Sequence, residues 1–296
     1  MSLQASLVLN AQNALGEGVV WCTRSQSLYW TDIHASVLWC YRPADGSTRR
    51  WPMPERLASF ALCEDDGWLL LGLESGLAFF HQESDQLIRI ADVEAGLPTR
   101  LNDGACDRQG RFVFGTLHEP VDGEARRAAG AFYRLHKDLR LEQLPLGSVA
   151  ISNSIAFSPD GAIMYYCDSW KRLVHRCSYG DSVADVCLHI DLTQQQGEPD
   201  GSAVDSEGGL WNAEWGSGRV VRYTPDGKQD LVISVPASQP TRVAFGGERL
   251  NMLYITSARD GLSAEALAKE PHAGGLFAIE VPFTGMPEPR FTGRPI

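Results

Sequence analysis

Ala105-Cys106-Asp107-Arg108-Gln109-Gly110-Arg111-Phe112 reads as the end of one strand, a tight polar turn closed by glycine, and the start of an apolar strand. The same pattern stands at Leu62-Cys63-Glu64-Asp65-Asp66-Gly67-Trp68-Leu69, at Ala156-Phe157-Ser158-Pro159-Asp160-Gly161-Ala162-Ile163 and at Ala203-Val204-Asp205-Ser206-Glu207-Gly208-Gly209-Leu210. Looser copies run from Val20-Trp21 through Ser27-Leu28-Tyr29-Trp30 and from Ala244-Phe245 through Arg249-Leu250. The apolar residues before the turns, Trp21, Cys63, Cys106, Phe157, Val204 and Phe245, are spaced 42, 43, 51, 47 and 41 residues apart. Each unit continues through further β-rich runs such as Gly218-Arg219-Val220-Val221-Arg222-Tyr223. Four short strands per ~40–50 residues is the signature of a propeller blade. The sequence therefore predicts an all-β, six-bladed β-propeller with four-stranded antiparallel blades, residues 1–296 forming a single domain. Residues 3–10 are left over, and they are expected to complete the last blade, closing the ring and protecting its edges.

Composition excludes several classes. The 26 Lys and Arg against 37 Asp and Glu give a net charge of −11 with no basic block, which argues against a nucleic-acid partner. The longest apolar runs, such as Trp68-Leu69-Leu70-Leu71-Gly72-Leu73, fall far short of the ~20 residues that span a bilayer, so no membrane association is expected. Met1-Ser2-Leu3-Gln4 lacks the basic stretch and apolar core of a signal peptide. The seven cysteines include no Cys-x-x-Cys pair, and Cys63, Cys106 and Cys167 sit inside apolar runs. Reduced, buried thiols in a cytoplasmic protein are the expectation.

Equivalent positions in different blades lie at similar depth around one axis. Four residues before each anchor stand Glu17, Ser59, Asn102, Asn153, Asp200 and Thr241, all polar, and the even offset places them on one strand face if the strands are regular. Glu17, Asn153 and Asp200 would bring two carboxylates and an amide oxygen to the channel from three blades. Facing carboxylates repel and raise one another's pKa unless a cation intervenes, and all three donors are oxygens that suit a hard divalent ion. Three protein ligands would leave open positions for water and substrate; side chains that merely wet a channel are the simpler reading. Arg100, two residues before Asn102, would face the same way and could bind a polyol or carboxylate.

Leu28-Tyr29-Trp30-Thr31-Asp32-Ile33, Arg100-Leu101-Asn102-Asp103-Gly104, Ile151-Ser152-Asn153-Ser154 and Pro199-Asp200-Gly201, in that order, resemble the gluconolactonase/regucalcin (SMP-30) family of six-bladed propeller lactonases. The resemblance runs from Leu15-Gly16-Glu17-Gly18 to Gly274-Gly275-Leu276-Phe277. It implies one divalent metal ion (Ca, Zn, Mg or Mn) on Glu17, Asn153 and Asp200, with Asp200 also moving the proton. It implies that Arg100 and Asn102 contact the hydroxyls of a sugar lactone. The family often places a substrate-binding Glu shortly after a Gly-Thr pair. Here Gly115-Thr116-Leu117-His118-Glu119-Pro120 puts Glu119 one residue early, which leaves Glu119 and His118 as candidate contacts. The expected activity is metal-assisted opening of an aldonolactone, gluconolactone- or pentonolactone-like. The alternatives are a paraoxonase-like phosphotriesterase or arylesterase with a histidine base, and a non-enzymatic metal-binding propeller. Trp30, Trp39, Trp68, Trp211 and Trp215 are expected to pack between blades, with Trp170, in Asp168-Ser169-Trp170, the exception that stacks on substrate. Residues 119–129 lengthen the third unit, as a lid or as a longer loop.

Overall fold

The computed structural model describes residues 3–121 and 123–295. It is built almost wholly of strands, with one short helix, Ala264–Lys269, started by the Ser263 hydroxyl accepting the Ala266 N–H. Six sheets, antiparallel except for one added parallel edge strand, follow one another along the described residues. Their innermost strands are Gly16–Cys22, Leu57–Leu62, Thr99–Cys106, Ser152–Phe157, Glu198–Val204 and Pro240–Gly246, which define blades 1 to 6.

The recurring turn explains itself locally. Asp107 accepts the Gln109 and Arg111 N–H groups on one side-chain oxygen, and Gly110 takes φ 75°, a conformation that L side chains resist. Asp205 does the same for Glu207 and Gly209, with Gly208 at φ 83°. An acid at the start and a glycine three residues later thus reverse the chain between the first two strands of these blades.

Each blade buries both faces against its neighbours, so the apolar core is a ring of six clusters. In blade 1, Val20 and Cys22 pack toward blade 2 with Phe60 and Leu71, while Val19 and Trp21 pack toward blade 6 with Tyr254 and Leu276. This two-sided burial is why the inner strands read as continuous apolar runs rather than as alternating ones. Trp21 stacks on Tyr254 and Trp211 meets Phe245 edge-on across blade boundaries, whereas Trp30 and Trp39 stack within blade 1.

Both ends of the chain tie the ring together. Ser6–Leu9 pairs antiparallel with Leu276–Glu280 as the outer strand of blade 6, while Leu3–Gln4 pairs parallel with Gln229–Ser234 at the edge of blade 5. At the other end, the segment after Glu280 crosses one mouth of the channel. Phe291 is fully buried between blades 2 and 3, where its N–H bonds Leu62 O and its own carbonyl accepts from Glu64 N.

Candidate active site

All six inner strands carry a register irregularity, falling for example between Glu17 and Val20, Leu101 and Gly104, Asn153 and Ala156, and Pro199 and Ser202. A bulge breaks the alternation of side chains and lets successive residues turn to the same side. This corrects the expectation of a regular strand face. Gly18 at φ 64° and Ser154 at φ 60° hold equivalent places in two of these bulges. At the mouth opposite the C-terminal segment lies a cavity of about 370 Å³ whose wall includes Glu17, Arg100, Asn102, Glu119, Asn153 and Asp200. Ser59 and Thr241, the other two polar positions at the common offset, do not line it. Thr241 instead donates to Gly16 O and so ties blade 6 to blade 1.

A continuous hydrogen-bonded belt runs round the wall. Arg56, held by Glu74, grips both carboxylate oxygens of Glu119 at 2.7 and 2.6 Å. Glu119 also accepts Arg100 Nε at 3.4 Å, and Arg100 Nη1 donates to Leu101 O and to Asn102 Oδ1. Asn102 Nδ2 then donates to Ser152 O and Asn153 Oδ1. Ser169 completes the belt: its hydroxyl donates to Pro199 O at 2.6 Å, so its oxygen accepts Asn153 Nδ2 at 3.0 Å. That chain of donors fixes the Asn153 amide with its oxygen toward Asn102 and the cavity. Among the described residues Arg100 Nη2 has no hydrogen-bond partner and remains available as a donor, and Asn102 keeps one lone pair on Oδ1.

The floor is strongly acidic. Glu17 and Asp200 are buried, line the same cavity and lie close enough for the Glu17 charge to act on Asp200. Burial first, then the charge of Asp103, pushes the Glu17 carboxyl up to about 7 against the pull of Arg242 and the Gly18 N–H. Burial, then Glu17 and Asp103, also raises Asp200 well above the usual carboxylate range. Asp103 is paired with Arg242 and additionally accepts Gly104 N and Ile155 N, each at 2.8 Å. Three carboxylates therefore face one guanidinium, which leaves two negative charges at the floor when all are ionised. Among the described residues no three His, Cys, Asp or Glu side chains form a ligand cluster, but two carboxylates and an oriented amide oxygen line the same cavity. That donor set and that charge deficit fit one hard divalent cation.

A pH dependence follows for the cation-free chain. The folded state holds the Glu17 proton more tightly than the unfolded state does. The corresponding stability, about 3 kcal/mol for the Glu17 shift, is present below the ordinary carboxylate pKa and lost as pH rises through about 7. Chelator-treated protein is expected to show a denaturation midpoint that falls between pH 5 and 8. A midpoint that rises over that range would contradict the arrangement.

Other residues were placed differently from the sequence reading. Asp103 and Arg242 stand one residue after Asn102 and Thr241, and only the bulges turn them inward. Asp103 lies within the Asn102-Asp103-Gly104 stretch, but nothing in the sequence marks either residue as turned toward the channel. Trp170 is 47% exposed and lies outside the cavity wall, which contains Trp215 instead. The reason is positional: Trp215 ends the second strand of blade 5, whereas Trp170 sits beyond that point in blade 4, on a turn of 3-10 helix. His118 is fully buried and accepts Arg127 N on Nδ1, so it braces the loop rather than facing the cavity. Among the described residues His34 is the histidine in the wall, 3.5 Å from Asp260. The 119–129 segment sends Arg126 to the wall, tied to His118 O at 2.6 Å.

Comparison with known proteins places the chain in a family. The family model described as the SMP-30/Gluconolactonase/LRE-like region matches residues 15–259. L-arabinolactonase of Azospirillum brasilense is 53% identical over 295 residues, covering 99% of this chain and 97% of that one. The 6-deoxy-6-sulfogluconolactonase of Pseudomonas putida is 39% identical over 290 residues, covering 97% and 98%. The crystal structure of a calcium-binding protein, regucalcin, from Agrobacterium tumefaciens superposes with a TM-score of 0.91 at 29% identity, covering 98% of this chain and 99% of that chain. The match spans most of the sequence and every blade, and on that evidence the chain belongs to the SMP-30/gluconolactonase/LRE-like family.

Proposed function

We propose that the chain is a lactonase that opens an aldonolactone to its open-chain acid with one divalent cation held by Glu17, Asn153 and Asp200. Relatives named as lactonases of an arabinono- and a sulfoglucono-lactone support lactone hydrolysis, and a five- or six-carbon sugar lactone is the substrate class we assign. The observation that carries the metal is the pair of excess negative charges beside a fixed amide oxygen at the floor of an open cavity.

A bound cation supplies Lewis-acid polarisation of the lactone carbonyl and offsets the Glu17–Asp200 repulsion. The remaining work falls to side chains. Asp200 takes a proton from the attacking water as the water oxygen bonds the carbonyl carbon. The same carboxyl returns that proton to the ring oxygen as the acyl–oxygen bond breaks. Arg100 Nη2 donates to a ring hydroxyl, and Asn102 Oδ1 accepts from another. Glu119 holds Arg100 in place and keeps one lone pair for a hydroxyl of the substrate. The free thiols are consistent with a reducing, cytoplasmic setting, which we infer from cysteine usage.

Proton release over a panel of pentono- and hexonolactones tests the reading. Turnover should vanish with chelator and return on adding Ca, Zn, Mg or Mn. Undiminished turnover in chelator would remove the cation, and cation binding without turnover on any lactone would favour a non-enzymatic propeller.

A further inference from the structure

Two aspartates outside the cavity wall grip the segments that deliver two of the proposed ligands, and they do so by the same contacts. Asp32 ends the second strand of blade 1, opposite Gly16, the residue before Glu17. Asp168 ends the second strand of blade 4, opposite Ser152, the residue before Asn153. Asp32 accepts Ala14 N on Oδ2 at 2.9 Å and Leu15 N on Oδ1 at 3.1 Å, three and two residues ahead of Glu17. Asp168 accepts Ala150 N on Oδ2 at 3.2 Å and Ile151 N on Oδ1 at 3.1 Å, three and two residues ahead of Asn153. A third contact repeats as well: Ile33 N donates to Leu15 O at 2.9 Å, and Ser169 N to Ile151 O at 3.0 Å. Both aspartates are buried, at 5% and 7% exposure.

Blade 5 solves the same problem differently. Glu214, opposite Pro199, turns away to Arg219 and the Tyr223 hydroxyl. The Asp200 segment is held instead by the restricted φ of Pro199 and by the Ser169 hydroxyl on Pro199 O. The dipeptide Asp168-Ser169 thus fastens the approach to Asn153, its amide, and the approach to Asp200.

We propose that Asp32 and Asp168 are positioning residues that set the separation of the cation-binding side chains by clamping the backbone ahead of Glu17 and Asn153. The inference rests on the metal reading above. The need for a carboxylate is chemical. Each oxygen receives its own backbone N–H, and both must be acceptors. An asparagine would point its NH₂ at one of those donors, losing one bond and leaving an N–H that is buried at Ala150 and half-buried at Ala14, Leu15 or Ile151 without its partner. A ligand displaced by a few tenths of an ångström still folds but binds its ion less well, as happens when supporting hydrogen bonds at metal sites are removed.

The test is titration calorimetry of Ca, Mg, Mn and Zn into the chelator-treated chain, comparing wild type with Asp32→Asn, Asp168→Asn, Asp32→Glu and Asp168→Glu. Asp45→Asn, at an exposed turn of blade 1, serves as the control. Circular dichroism establishes which variants are folded at the titration temperature. The expected result is a Kd raised about 10–100-fold in the folded Asp32 and Asp168 variants, with no change for Asp45→Asn. Folded variants that bind as tightly as wild type would overturn the clamp. Should both asparagine variants fail to fold, Asp32→Glu and Asp168→Glu decide, since each keeps two acceptor oxygens but shifts them by one methylene; an unchanged Kd in these folded variants overturns the proposal. Wild type that binds none of the ions would instead sink the metal reading itself.

Discussion

Asp200→Ala is expected to abolish lactone turnover and to weaken cation binding together. Asp200 is assigned two tasks, as ligand and as proton carrier, and alanine removes both. Loss of the proton carrier alone is worth about 10²–10⁴ in rate. Loss of a ligand exceeds the ~10–100-fold effect of removing a supporting hydrogen bond. Asp200→Asn separates the tasks: the amide keeps an oxygen donor of similar reach, so cation affinity should fall far less than turnover does. Proton release and calorimetry on the same preparations measure both quantities. Near-normal turnover in Asp200→Ala, or equal losses in both assays for Asp200→Asn, would remove the dual role.

Arg242→Leu is expected to destabilise the cation-free chain by about 3–5 kcal/mol, the cost of leaving a buried charge without its partner. Arg242 is 4% exposed and paired with Asp103, and its charge also lowers the proton affinity of Glu17 and Asp200. Adding Asp103→Asn should recover part of the loss, because the neutral amide removes the unpaired ion while its oxygen still accepts one of the two buried backbone N–H groups. Urea denaturation at pH 7 in chelator measures the cycle. A single variant within 1 kcal/mol of wild type, or a double variant no better than the single, would contradict the charge arrangement at the floor.

The fold was legible because its signals are local. An aspartate whose side chain caps the following N–H groups, with a glycine at positive φ three residues on, reverses the chain wherever it occurs, and here it recurs at blade spacing. Glu17, Asn102, Asn153 and Asp200 were legible because repeated units place equivalent positions around one axis. Asp103 and Arg242 were not, because strand periodicity assigns them to the opposite face and only the bulges bring them inward. Trp215 and Trp170 exchanged roles for a similar reason: which of two nearby aromatics meets the cavity depends on where a strand ends.

Pairings between distant segments carried no signal in the sequence. Arg56 bridging Glu74 and Glu119, Leu3–Gln4 joining blade 5, and Phe291 filling the space between blades 2 and 3 all depend on which surfaces meet after the ring closes. The sequence by itself determined the blades, their number and the oxygen-bearing positions, since turns and strand faces are set within a few residues. The tertiary structure alone decided which carboxylate has a cationic partner and which pair is left with excess charge. Those outcomes depend on distances across the channel, and electrostatic energy varies with distance and burial rather than with order along the chain.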